Sequence, residues 1–138
     1  MKPLYTAVAT ATGDGRNGHV KTDDGMLDMT LKMPPGLGGP GGASNPEQLF
    51  AAGYAACFHS ALKFVARPLK ADVTDSTVRA HVSIGSNGAG GFGLGVTLDI
   101  HIPNVEPQAA LELAQQAHHV CPYSNATRGN IDVQLQLS

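Results

Sequence analysis

The sequence predicts an α+β fold in which an antiparallel sheet packs on a buried central helix. Three observations predict it. The second half of the chain alternates apolar and polar residues with period two. A long apolar helix with a clear start precedes that half. A second, shorter helical pattern then falls between the last two strand-like segments.

The elements follow in order. Residues 3–12 and 19–31 read as strands, joined through the turn-rich segment Gly13-Asp14-Gly15-Arg16-Asn17-Gly18. Pro34 to Asn45 holds five glycines and three prolines, a loop long enough to be a functional cover or a mobile linker. Asn45 then offers an N-cap with Pro46 at the first helical position, and Ser44 with Glu47 forms an overlapping capping-box alternative. The helix runs through Leu49, Phe50, Ala55, Cys57, Phe58, Leu62 and Val65 and stops before Pro68. Its apolar residues surround the axis, so it should be buried on nearly all sides. One small chain would struggle to wrap it, which calls for a partner subunit. Three alternating segments follow: Val78, Ala80, Val82 and Ile84; Leu94 to Ile102; and Ile131 to Leu137. Each has one buried and one wet face, as antiparallel strands do. Between the last two, a helix from about Pro107 to His119 carries Ala110, Ala114 and Ala117 at a spacing that continues to Cys121.

The 138 residues fit one domain, 1–138. A hydrophobic content of 42% argues against disorder. No apolar run reads as long enough to cross a bilayer, and the start lacks the apolar block of a signal peptide, so the expected address is cytoplasmic, without membrane. A net charge of −2 and scattered Lys and Arg form no basic stripe, and nucleic acid is not an expected partner.

Gly13–Gly18 and Gly88–Gly93 both match G-x-G-x-x-G, but each leads into strand-like sequence. A dinucleotide site needs that loop to open a helix, so both are read as hairpin turns. The six histidines form no H-E-x-x-H. His118 and His119 point to different sides of a helix. His81 and His101 are possible cross-strand neighbours without a third ligand, and no metal site is expected. Cys57 and Cys121 are then either core filler or a redox couple. Burial alone would make Cys57 inert, so a reactive thiolate requires a fixed cation: Arg16, Arg67, Arg79, Arg128 or Lys63.

Three segments carry a resemblance that spans essentially the whole chain. Asn45-Pro46-Glu47-Gln48-Leu49-Phe50-Ala51-Ala52-Gly53-Tyr54-Ala55-Ala56-Cys57-Phe58 resembles the first-cysteine motif of the organic hydroperoxide resistance (Ohr) branch of the Ohr/OsmC family. Val120-Cys121-Pro122-Tyr123-Ser124-Asn125-Ala126-Thr127-Arg128 is similar to its second-cysteine motif, and Gly15-Arg16-Asn17-Gly18-His19-Val20 to the segment with its active-site arginine. The resemblance implies an OsmC-like intertwined homodimer with active sites at the interface. It implies Cys57 as peroxidatic and Cys121 as resolving cysteine, with Arg16 and Glu47 as the activating pair. It also implies reduction of alkyl or fatty-acid hydroperoxides in defence against oxidative stress. The implied electron donor is an external dithiol, a lipoylated protein, with no bound cofactor or metal.

The residue types suit that chemistry. A guanidinium stabilises a thiolate and a departing alkoxide and does not lose its own proton. A carboxylate holds the guanidinium fork in place. A second cysteine traps the sulfenic acid before it oxidises further. Apolar walls, Phe50 among them, would bind the alkyl chain at about 0.8 kcal/mol per methylene. Helix geometry adds a constraint: ten residues separate Glu47 from Cys57 by about 15 Å along the axis and about 80° around it. Unless the helix breaks at Gly53, Arg16 and Glu47 are expected to reach Cys57 from the partner subunit. Two rival readings remain: the OsmC branch, with a different substrate balance, and a dimeric ligand-binding protein with spent cysteines.

Overall fold

The computed structural model describes residues 1–138. The chain divides into two compact units, Met1–Leu49 and Phe50–Ser138.

In the first unit, β1 (Ala9–Thr12), β2 (His19–Thr22) and β3 (Asp28–Thr30) form an antiparallel sheet in that order. The strands expected over 3–12 and 19–31 are both shorter than expected. Residues 3–8 form no strand, with Val8 held by its carbonyl on the Asp23 N–H at 3.0 Å; Leu4 and Tyr5 are fully or largely exposed. The single strand expected over 19–31 is a hairpin. Thr22 and Asp24 break it: the Asp24 carboxylate accepts from the Thr22 hydroxyl at 2.7 Å and from the Met26 N–H at 3.0 Å, and Gly25 takes φ 75°. This local turn outcompetes strand continuation. The Gly/Pro-rich loop contains a 3₁₀ turn, Pro35–Leu37, and is tied back by the Gly41 N–H on the Met33 carbonyl.

The helix α1 (Pro46–Ala66) begins as its sequence demands. The Asn45 side chain accepts from the Gln48 N–H at 2.9 Å, with Pro46 at the first helical position. The capping-box alternative is not used, because the Glu47 carboxylate is occupied elsewhere.

The second unit holds the rest of α1, β4 (Thr77–Ser86), β5 (Phe92–His101), α2 (Pro107–Val120), α3 (Pro122–Thr127) and β6 (Val133–Leu137). Its core gathers Tyr54, Phe58 and Leu62 of α1 with Val96, Leu98 and Ile100 of β5 and Leu113, Ala114 and Ala117 of α2. The β4–β5 hairpin is antiparallel, and the Asn87 side chain accepts from the Ala89 and Gly91 N–H groups in its glycine-rich turn. The wholly antiparallel sheet expected is corrected at β6, which pairs with β5 in parallel. The intervening helices carry the chain back to the same end of the sheet, the connection a parallel pair requires. The short helix α3 has no forecast in the alternation pattern; Pro122, which fits a helix's first turn, is its only sequence signal. His81 and His101 are not neighbours, since their cross-strand partners are Thr97 and Thr77.

Two expectations about α1 change. By length and composition it is apolar enough to cross a membrane, contrary to the reading that no run is. Its inward residues Tyr54, Phe58, Ala61, Leu62, Val65 and Ala66 are buried in this protein's own core. Burial on nearly all sides is not achieved within one chain: Phe64 is 64% exposed, and Ala52 and Ala56 are exposed as well.

Candidate active site

Within the first unit, Arg16 sits in the 3₁₀ turn Gly15–Asn17 between β1 and β2. Glycine is required around it. Gly13 and Gly15 take φ 75° and 61°, and a Cβ on Gly18 would lie 2.2 Å from the Thr12 carbonyl oxygen. The turn therefore holds a tight bend that presents the arginine. Its Nη1 and Nη2 donate to Glu47 Oε2 and Oε1, each at 2.7 Å, a two-point fork-to-fork pair. The hydrogen bond from Arg16 holds the Glu47 carboxyl below the usual carboxylate range, and the same bond raises Arg16 further. Three guanidinium N–H donors remain beyond the two given to Glu47. Glu47 also lies in the first turn of α1, where the helix dipole favours a negative charge.

Within the second unit, Cys57 lies on α1 and Cys121 is the single residue between α2 and α3. The Cys121 thiol donates to the Cys57 sulfur at 3.8 Å. Both thiols are free; Cys121 is fully buried and Cys57 half-buried. Burial pushes the Cys57 thiol up from its ordinary value, and Cys121 adds to the rise, while a hydrogen bond from the Tyr123 backbone N–H opposes it. Left to this surrounding, Cys57 is protonated at neutral pH and unreactive. A bond length of about 2.05 Å separates disulfide sulfurs, so the pair needs only a small approach to join.

Aromatic rings line the neighbourhood. Phe50, Tyr54 and Tyr123 pack edge-on or tilted with centroids 5.7–6.3 Å apart. Gly53 leaves room for Tyr123, whose hydroxyl a Cβ there would meet at 2.8 Å and whose ring atoms it would meet at 3.2–3.3 Å. Of the other cations considered for Cys57, Arg128 donates to the Asn125 side chain and the His118 carbonyl. Lys63 and Arg67 line a cleft with His59, Ser60 and Phe64 that includes neither cysteine.

The structure thus assembles two pairs, Arg16 with Glu47 and Cys57 with Cys121, one in each unit. Tyr123 was not singled out by the sequence reading, nor was a buried polar group formed by Tyr54, Ser124, Thr127 and His118. Tyr54 Oη lies 2.8 Å from Ser124 Oγ and 3.2 Å from Thr127 Oγ1, and His118 Nδ1 is 2.7 Å from Ser124 Oγ. Hydroxyl residues on a short, unforecast helix carry no period that marks them as interior.

Fold and thiols together define an α+β protein whose long helix faces a helix corner across a pair of free cysteines. The OsmC-like protein family model matches residues 39–136. An organic hydroperoxide resistance protein of Xanthomonas axonopodis pv. citri is 52% identical over 139 residues, covering 99% of this chain and 96% of its own. The protein OhrB of Bacillus subtilis, of the same description, is 47% identical over 135 residues, covering 97% of this chain and 98% of its own. The crystal structure of an organic hydroperoxide resistance protein from Elizabethkingia anophelis superposes with a TM-score of 0.95 at 55% identity, covering 100% of this chain and 99% of that one. The chain belongs to the Ohr/OsmC family, in its organic hydroperoxide resistance branch.

Proposed function

We propose that the protein is a thiol peroxidase that reduces alkyl and fatty-acid hydroperoxides to alcohols in defence against oxidative stress. The observation that carries the reading is the free cysteine pair, 3.8 Å apart, in a chain whose relatives are named for organic hydroperoxide resistance. The Cys57 thiolate attacks one peroxide oxygen, the O–O bond breaks, and the alkoxide leaves and is protonated to the alcohol. Cys57 is left as a sulfenic acid. The Cys121 sulfur then attacks it: the S–S bond forms, the S–O bond breaks, and water departs with the thiol proton. An external dithiol, on this reading a lipoylated protein, reduces the disulfide by exchange and is itself oxidised. The reaction needs no bound cofactor or metal.

Arg16, oriented by Glu47, supplies the cation that Cys57 lacks in its own surroundings. It favours the thiolate and then the alkoxide, where charge develops. The helix from Pro46 to Ala66 runs without a break at Gly53, which supports delivery of Arg16 and Glu47 by a partner subunit. The exposed Phe64 and the exposed N-terminal residues Leu4 and Tyr5 support the same intertwined homodimer. Both units, residues 1–138, serve this one reaction, in the reducing cytoplasm. Phe50 and Tyr123 form the apolar wall for the alkyl chain.

Turnover of tert-butyl and fatty-acid hydroperoxides, compared with hydrogen peroxide, tests the substrate class. The organic peroxides should react faster by at least about tenfold, the effect of burying two methylenes at about 0.8 kcal/mol each. Equal rates would count against it.

A further inference from the structure

Cys121 is the only residue between α2 and α3, and its backbone (φ −63°, ψ 122°) is the hinge of that corner. Four side chains brace it. His118, on the last turn of α2, reaches Ser124 of α3 at 2.7 Å, a tie across the hinge. Ser124 in turn meets Tyr54 of α1 at 2.8 Å, with Thr127 3.2 Å from the same tyrosine oxygen. Tyr54 and Ser124 are both fully buried, so these hydrogen bonds are not exchanged for water.

The spacing gives the brace its meaning. Tyr54 and Cys57 are three residues apart on one face of α1, and Cys121 and Ser124 are three apart at the start of α3. The Tyr54–Ser124 contact and the Cys57–Cys121 contact are therefore successive rungs between the same two elements. One rung fixes the separation of the other. Arg128 also spans the corner, donating to the His118 carbonyl and the Asn125 side chain, so loss of the oxygen rung loosens the corner without releasing it and lets the Cys121 sulfur drift from Cys57.

We propose that Tyr54, Ser124 and His118 are positioning residues that hold Cys121 against Cys57 and so govern disulfide closure, taking no part in the attack on peroxide. The inference rests on the peroxidase reading for its biological meaning, but the closure itself can be measured without peroxide. In that measurement the two protein thiols and a disulfide reagent exchange partners, so the protein gains an S–S bond as the reagent is reduced.

The test uses the full chain carrying Tyr54→Phe, Ser124→Ala, or both. The first readout is the equilibrium of the Cys57–Cys121 disulfide with reduced and oxidised dithiothreitol. The second is a quenched single turnover with tert-butyl hydroperoxide, in which mass spectrometry follows sulfenate formation, disulfide closure and sulfinic acid at Cys57. Each single variant should weaken the disulfide equilibrium and slow closure by about three- to tenfold, as loss of a buried hydroxyl and its hydrogen bonds does, while sulfenate formation stays within about twofold. Sulfinic acid should rise correspondingly. The double variant should fall short of the product of the two singles, because one contact is removed twice. Closure and equilibrium unchanged in both single variants would overturn the proposal, as would equal slowing of sulfenate formation and closure. If peroxide leaves wild-type thiols untouched while the variants still shift the dithiothreitol equilibrium, the peroxidase reading fails and the positioning role stands.

Discussion

Cys57 carries a contradiction that only a second residue resolves. Its burial raises the thiol above the ordinary value of 9.0, yet the proposed chemistry needs a thiolate near neutrality. A guanidinium beside the sulfur reverses the sign, since an opposite charge favours the ionised form. The pH profile of Cys57 alkylation by iodoacetamide reads this directly. In the wild-type assembly the midpoint should lie below 9.0, and in Arg16→Ala it should move above that value, where burial alone puts it. An unmoved midpoint would remove Arg16 from the account. The four residues of the two pairs were legible because each sits in a long motif; composition and spacing left the cysteines undecided between core filler and redox couple. Ser124 and His118 were not legible as partners. Their contact depends on the angle of a corner at Cys121, which no residue pattern encodes.

The elements show where period is informative and where it is not. Alternation located β4, β5 and β6, because a sheet with one buried face imposes it on every strand. It could not give the direction of β6, which depends on the connection and not on the strand. The strands expected over 3–12 and 19–31 overran the start of β1 and the β2–β3 turn, because the Asp24 side chain closes that turn through contacts that no period marks. On α1, Gly53 is a second compromise. Alanine there would gain up to about 1 kcal/mol of helix propensity. The gain is opposed by the Tyr123 hydroxyl, 2.8 Å from the new Cβ. Urea denaturation should therefore show Gly53→Ala close to neutral in the wild-type background and stabilising by about 0.5–1 kcal/mol in Tyr123→Ala, which removes the ring atoms as well as the hydroxyl. The same effect in both backgrounds would show that the tyrosine does not constrain the helix.

At the scale of the whole molecule, a single chain leaves α1 partly unwrapped and its N-terminal Leu4 and Tyr5 exposed. Large exposed side chains such as Phe64, Leu4 and Tyr5 are surface that the proposed homodimer would cover. The apolar circumference of the helix is the sequence feature from which a partner subunit is expected. On the proposed dimer, sedimentation should give twice the chain mass, and Phe64→Asp should shift it toward monomer and lower peroxidase activity together. A wild-type protein that sediments as a monomer and remains active would contradict delivery of Arg16 from a partner. The central claim, that these two cysteines form the working dithiol of a peroxidase, is tested most directly by one turnover. The reduced protein receives one equivalent of an alkyl hydroperoxide, and its peptides are then mapped by mass spectrometry without a reducing agent. The account predicts one equivalent of alcohol and a peptide pair joined through Cys57 and Cys121; alcohol formed with both thiols still free, or no alcohol at all, would contradict it.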